Sequence, residues 1–243
     1  MAIGGFILSG NSPRRLIIRG SGPSLAASRV PNPLLDPTLS LYNGTTNAVI
    51  AVNDDWQNTA NADQIPAGFQ PSDPRESVII ATLQPGPYTV IEAGSGDTTG
   101  VGLVEVYDLD TTDDAMLANI ATRGLCMTGD NVMIAGFITG GSINSSTVVV
   151  RAIGPSLQQA RINNSLQDPT LELHDANGVL IGNNDNWKDD PSQAAQLITL
   201  GFAPSDDRES AIVVNLPPAG YTVIVDGKNG GVGVALVEVY NLQ

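Results

Sequence analysis

The residue types able to do chemistry in this chain come in pairs. Glu105 and Glu238 each sit in the segment LVEVY, and Arg19 and Arg151 end the runs LIIR and VVVR. Paired carboxylates are the acid and base of many hydrolases. A carboxylate and a guanidinium repeated at matching places in two halves also make a semi-buried ion pair that fixes strand register. The register pair is the expected role, with Arg75-Glu76 and Arg208-Glu209 as alternative partners. The single histidine, His174, stands where the first half has Tyr42. A histidine-dependent nucleophile could therefore exist in at most one half, and His174 is expected on a surface or rim. The single cysteine, Cys126, excludes an internal disulfide. It reads as a half-buried thiol, and if exposed it could cross-link two chains.

The pairs Asp54/Asp55 and Asp185/Asn186, following Asn53 and Asn184, offer oxygen ligands that calcium would suit, with Asp73 and Asp206 nearby. They lack the spacing of a dedicated calcium loop, and Asx turns closing hairpins account for them more simply. No other cofactor is expected. GSGDTTGVG has the look of a dinucleotide turn, but no helix follows it and its twin reads DGKNGGVG, so it is expected to be a hairpin loop. Trp56 and Trp187 occupy matching places; an exposed Trp stacks on sugar rings, whereas one at a strand end packs into the core edge. Packing is expected, because a stacking platform recruits several rings and aromatics are only 5% of this chain.

What positions these residues is an internal repeat. GGFILSG is answered by AGFITGG, LIIRGSGPSL by VVVRAIGPSL, GFQPSDPRESVI by GFAPSDDRESAI and GVGLVEVYDL by GVALVEVYNL. Phe6 matches Phe137, Arg19 matches Arg151 and Glu105 matches Glu238, offsets of 131, 132 and 133 residues. An offset that drifts so little means loop insertions in one preserved scaffold. In the first copy, strands are expected near 2–8, 15–19, 38–42, 48–53, 77–83, 87–92 and 102–108, bounded by turns such as NSP, PNP and QPGP. With almost no helical periodicity, this predicts an all-β protein of two tandem antiparallel β-sandwich, jelly-roll-like domains. One short helix is expected in DPSQAAQLITLGF, capped by Asp190 or Ser192.

Composition narrows the partners. Acids outnumber bases 25 to 11, giving a net charge of -14, which argues against nucleic acid or an anionic membrane surface. No apolar run approaches the ~18 residues of a membrane span. The opening MAIGGFILSGNSPRR carries its charges after the apolar residues, without a cleavage site, so it does not read as a signal peptide.

One stretch breaks the repeat. Residues 117–131, including ANIATRGLCMTGDN, precede the second copy and have no counterpart before the first. The expected division is a first sandwich at 1–110 that lacks this segment, a connector at 111–131 read as a strand, and a second sandwich at 132–243. The connector is either an ordered link in an array or an edge strand whose absence leaves the first sandwich with an unfilled edge. In the second case Ala118, Ile120, Thr122, Arg123 and Leu125 form the assembly interface.

The block DPTLELHDANGVLIGNNDNW, followed by ESAIVVNLPPAGYTVIV, resembles the bacterial pre-peptidase C-terminal type of secreted β-sandwich. The shared pattern is a strand ending in Asp or Asn, an Asn-Gly turn, an Asn-Asp-Asp and an LPAGxYxVxV-like strand; residues 168–240 match best and 36–107 match again. The GPSL region departs from it, and with LANIATRG it is similar to tandem repeats near the C-terminal ends of large secreted or surface bacterial proteins. That resemblance implies an extracellular or cell-surface array module without catalytic activity. The expected function is a structural or adhesive repeat protein, self-associating head to tail into a filament by strand complementation. The alternative is a carbohydrate-binding accessory module whose partner is a cell-surface polysaccharide.

Overall fold

β-Branched runs between turn residues become short strands, because branched side chains fit a pleated, half-buried surface. The computed structural model describes residues 1–59, 61–110, 115–140 and 145–242. The chain is all-β and antiparallel, and it divides into two compact units, Met1–Ala118 and Asn119–Gln243.

The first unit holds β1 (Ala2–Gly10), β2 (Arg14–Ser21), β3 (Pro37–Asn43), β4 (Val49–Asn53), β5 (Ser77–Leu83), β6 (Gly86–Gly94) and β7 (Leu103–Asp108). These lie within a residue or two of the seven expected positions. One sheet runs β4-β3-β6-β1 and the other β5-β2-β7. Phe6, Leu8, Leu39, Leu41, Tyr88 and Val90 of the first sheet share one core with Leu16, Ile18, Ile79 and Leu83 of the second. That shared core makes the unit a sandwich. Alternate residues face outward, as the period of two requires.

β8 (Ala115–Cys126) crosses the boundary between the units. The second unit continues with β9 (Met133–Ile138), β10 (Ser146–Ile153), β11 (Pro169–His174), β12 (Leu180–Asn184), β13 (Ser210–Leu216), β14 (Gly220–Gly227) and β15 (Gly233–Asn241). Its sheets run β12-β11-β14-β9 and β13-β10-β15-β8, around a core that includes Phe137, Val148, Val150, Leu171, Leu173, Val223 and Val237. The one α-helix, α1 (Pro191–Leu200), covers the outer face of β13-β10-β15 through Ala194 and Leu197 on Val149 and Ala211. Asp190 caps it, accepting from the Ser192 and Gln193 N–H groups, and Gly201 ends it with φ +78°. In the first unit the loop after β4 covers the corresponding face, with Trp56, Ile65 and Phe69 packed on Ile17 and Val78.

Asn119–Cys126 of the expected connector are thus a sheet strand of the second sandwich, while residues 111–114 lie outside the described residues. The GPSL segments form 3-10 turns after β2 and β10. Their glycines are obligatory: a Cβ on Gly22 or Gly154 would stand 2.0 or 2.1 Å from the carbonyl oxygen of Leu34 or Leu166.

Candidate functional site

The paired charges are register pairs. Arg19 is directly opposite Glu105 across β2 and β7, and Arg151 opposite Glu238 across β10 and β15. Arg151 meets the Glu238 carboxylate at 2.5 and 3.0 Å, donates to the Phe202 carbonyl and lies over the Phe202 and Tyr240 rings. The looser twin has Arg19 Nε 3.5 Å from Glu105. Tyr107 and Tyr240 donate to these same carboxylates, and burial first, with the neighbouring carboxylate second, pushes both phenols up to about 12.

The alternative partners are not realised. Arg75 and Arg208 bind Asp73 and Asp206, two residues away, because those short acids reach them within the same turn. Glu76 and Glu209 turn inward instead. Glu76 Oε1 accepts from the Gly22 N–H at 2.9 Å, the Ser24 N–H at 2.9 Å and the Ser24 hydroxyl at 2.6 Å. Glu209 Oε1 accepts from Gly154 at 3.1 Å, Ser156 N–H at 2.9 Å and the Ser156 hydroxyl. Sequence reasoning missed this clasp between GPSL and the RES segment, though both recur together in each copy. A cleft of about 220 Å³ in the second unit is lined by Arg151, Ser156, Glu209 and Glu238. All these groups are engaged with one another or with backbone.

The oxygen-rich turns are also structural. Asn53 and Asn184 each clamp two strands: their Nδ2 groups donate to the Asp55 and Asn186 carbonyls, and their Oδ1 atoms accept from Val78 and Ala211. Asp185 pairs with Lys228 at 2.6 Å, and Asp73 and Asp206 are held below the usual carboxylate range by their arginines. Asp54 is raised by burial, with Asp36 and Asp55 adding repulsion. Among the described residues no three His, Cys, Asp or Glu side chains converge as a metal cluster. The Glu172 carboxylate first, then the Gly178 carbonyl, raise the pKa of His174. GSGDTTGVG is the loop between β6 and β7. Trp187 is 5% exposed within the core under α1, and Trp56 packs in the corresponding place, so neither forms an open stacking platform.

The proposed assembly residues fall on β8. Leu117 packs against the first core, and Ala118 is the last residue of the first unit. Beyond it, Asn119–Cys126 pair with β15: Ile120 opposes Val239, Thr122 opposes Val237, Arg123 opposes Leu236 and Leu125 opposes Val234. Asn119 donates its amide to the Val239 carbonyl at 3.1 Å. Cys126 is fully buried rather than half-buried, its Sγ 3.2 Å from the Val225 carbonyl oxygen, and burial pushes the thiol pKa up.

β7 is the twin of β15, and among the described strands it has no such neighbour. It pairs with β2 on one edge, and no described strand pairs with the other. The two strands are nearly identical from Gly100–Leu109 to Gly233–Leu242, differing at Gly102/Ala235 and Asp108/Asn241. Val237 and Val239 are 1% and 7% exposed beneath β8, whereas their twins Val104 and Val106 are only half-buried and Leu103 is 42% exposed. Near this edge sits Glu92, which replaces Val225 of the second unit. Its side chain is 1% exposed, and its Oε1 is buried without a hydrogen-bond partner. Burial raises its pKa to about 8; the N-terminal amine opposes that shift, and Glu76 and Glu105 add to it. Gly20 and Gly102 make the space, since a Cβ on Gly102 would lie 2.3 Å from Glu92 Oε2. The second unit has Ala152 and Ala235 there.

No family model matches the sequence, and no curated protein matches it. Among solved structures, the chain is similar to the STIV MCP, at 10% identity over 99% of this chain and 91% of that one, with a TM-score of 0.27. It is also similar to the infectious bursal disease virus VP2 subviral particle, at 11% identity over 98% of this chain and 58% of that one, with a TM-score of 0.22. Overlap at that level does not assign a function, and the architecture above rests on its own strand pairing.

Proposed function

We propose that this chain is a non-catalytic structural or adhesive repeat protein of a bacterial exterior, whose sandwiches are joined head to tail by strands that complete one another's sheets. The observation that carries this reading is β8, whose Leu117 packs on the first core and whose residues Asn119–Cys126 pair with β15 of the second sandwich. Residues Asn119–Cys126 of this link are a member of the second unit's sheet rather than a tether. Among the described strands none pairs with the second edge of β7, and such an edge is a template for another strand. The engaged state of every paired carboxylate favours structure over hydrolysis. No helix among the described residues is long and apolar enough to cross a membrane; placement outside the cell rests on the resemblance to secreted repeats.

Light scattering of the purified chain across a concentration series, with electron microscopy of the same sample, tests self-association. Species that grow with concentration into linear assemblies are expected. A constant mass of 25.2 kDa at every concentration would overturn the head-to-tail reading for this chain.

A further inference from the structure

We propose that the side chain of Gln193 is an edge lock: held against the outward amide of Val213, it closes β13 to pairing with the β13 strand of a second copy of this chain. The inference does not rest on the head-to-tail reading, because β13 ends its sheet on the side away from β8.

The strand is one that needs closing. Ser210–Leu216 reads SAIVVNL, with no charge and no proline in a chain of net charge -14. A short, uncharged, β-branched strand at the end of a sheet readily adds to a copy of itself. One edge of β13 is satisfied by β10. On the other, Ala211, Val213 and Asn215 turn their backbone groups outward, since alternate residues of a strand point their N–H and C=O groups the same way. Thr147, directly opposite Asn215, agrees with this, because its carbonyl accepts from the Leu242 N–H and so faces away from β13. Two of the outward amides are taken by side chains: the Ala211 N–H donates to Asn184 Oδ1 at 2.9 Å, and the Val213 N–H donates to Gln193 Oε1 at 2.8 Å.

The two caps differ in origin. Asn184 ends β12, within the sandwich itself, whereas Gln193 lies in the first turn of α1 and reaches from the outer face to the strand edge. Beyond Gln193 there is room: a cleft of about 580 Å³ lies between α1 and β13, with Ser192, Gln196 and Leu200 on one wall and Val213 and Asn215 on the other. Asn215 is exposed, its side chain accepting from the Thr147 hydroxyl at 2.7 Å. With Gln193 withdrawn, two β13 strands running antiparallel about Val214 bring Val213 of each copy opposite Asn215 of the other, and each such pair exchanges N–H and C=O groups. The Ala211 cap stays in place. Such a contact uses the same patch on both copies, so it closes as a dimer. While Gln193 holds the Val213 amide, the donor this pairing needs is occupied.

Amide hydrogen exchange measured by NMR on the full chain, with light scattering of the same samples, tests the lock. In the wild-type chain the Val213 amide should exchange more slowly than that of Asn215. In Gln193→Leu, which keeps the size and helix preference but removes the acceptor, the Val213 amide should exchange about tenfold faster, the equivalent of one hydrogen bond. That variant should also associate beyond the wild-type mass at the same concentration; head-to-tail growth, by contrast, appears in both chains alike. Gln193→Glu, which keeps an acceptor, should match the wild type in both readouts. Adding Asn215→Lys to Gln193→Leu should remove the extra association, because a lysine on an edge strand opposes addition. A wild-type Val213 amide as fast as that of Asn215 would overturn the lock without recourse to any variant, as would exchange unchanged by Gln193→Leu. Faster exchange with no added association, or added association that survives Asn215→Lys, would overturn pairing through β13.

Discussion

Replacing Glu92 by Val should stabilise the first unit, and by an amount that grows with pH. The carboxyl titrates near its ordinary 4.5 in the unfolded chain and at about 8 when folded. The native state therefore holds its proton more tightly, and the wild-type unit loses stability as pH rises from 4.5 to 8, by about 1.4 kcal/mol per pH unit. Across the whole window the loss has a ceiling of roughly 5 kcal/mol, and above pH 8 it levels off, because both states are then ionised. Below pH 5 a smaller advantage for Val persists, of about 1–3 kcal/mol, from removing a buried oxygen with no partner. Urea unfolding at half-unit steps from pH 5 to 9, in a Trp187→Phe background so that only Trp56 of the first unit reports, would measure this. Glu92→Gln should share the flat pH profile of the Val variant without its full gain. Stability curves for wild type and Glu92→Val that run parallel across this range would refute the reasoning, as would a Val variant less stable at pH 8.

Gly102→Ala alone should destabilise the first unit, because the new Cβ falls 2.3 Å from Glu92 Oε2, and Glu92→Val should rescue it; a double-mutant cycle by chemical denaturation measures the coupling. Glu209→Ala should cost the second unit about 3 kcal/mol or more, since the Gly154 and Ser156 donors are left unpaired; Trp187 fluorescence reports that transition. Glu238→Gln should lower the stability of the same unit by stripping Arg151 of its charge partner, with a loss of about 1–3 kcal/mol in urea unfolding. Asp190→Ala should cost about 1 kcal/mol through loss of the α1 cap. A chelator should leave the melting temperature unchanged, because Asp73, Asp185 and Asp206 are bound to Arg75, Lys228 and Arg208; a fall of several degrees would restore calcium.

Much of this arrangement was legible in the order of residues. Strand alternation depends only on period, and two copies of LVEVY with an Arg at the end of a second run suggest a register ion pair, though Arg75-Glu76 and Arg208-Glu209 stayed open as alternative partners until the strands were paired. The cap of α1 is likewise local, because Asp190 acts on N–H groups two and three residues ahead. The Glu76 and Glu209 clasps were not legible, since the loops that bring GPSL against these carboxylates carry no periodicity that would place them. Nor was the burial of Cys126, which depends on β8 closing over Val225 from the far side of the sandwich.

The sequence by itself determined that the chain is a β-repeat, that its charges recur at matching places, and that a strand-like segment precedes the second copy. Periodicity, turn chemistry and internal identity are all local properties, and the chain states them twice. Only the tertiary structure decided what the difference between the copies means. Strand pairing is a long-range choice, made when Asn119–Cys126 found the edge of β15. The near-identical edge of β7 has no such partner among the described strands, and beneath it folding has buried Glu92 where its twin is Val225.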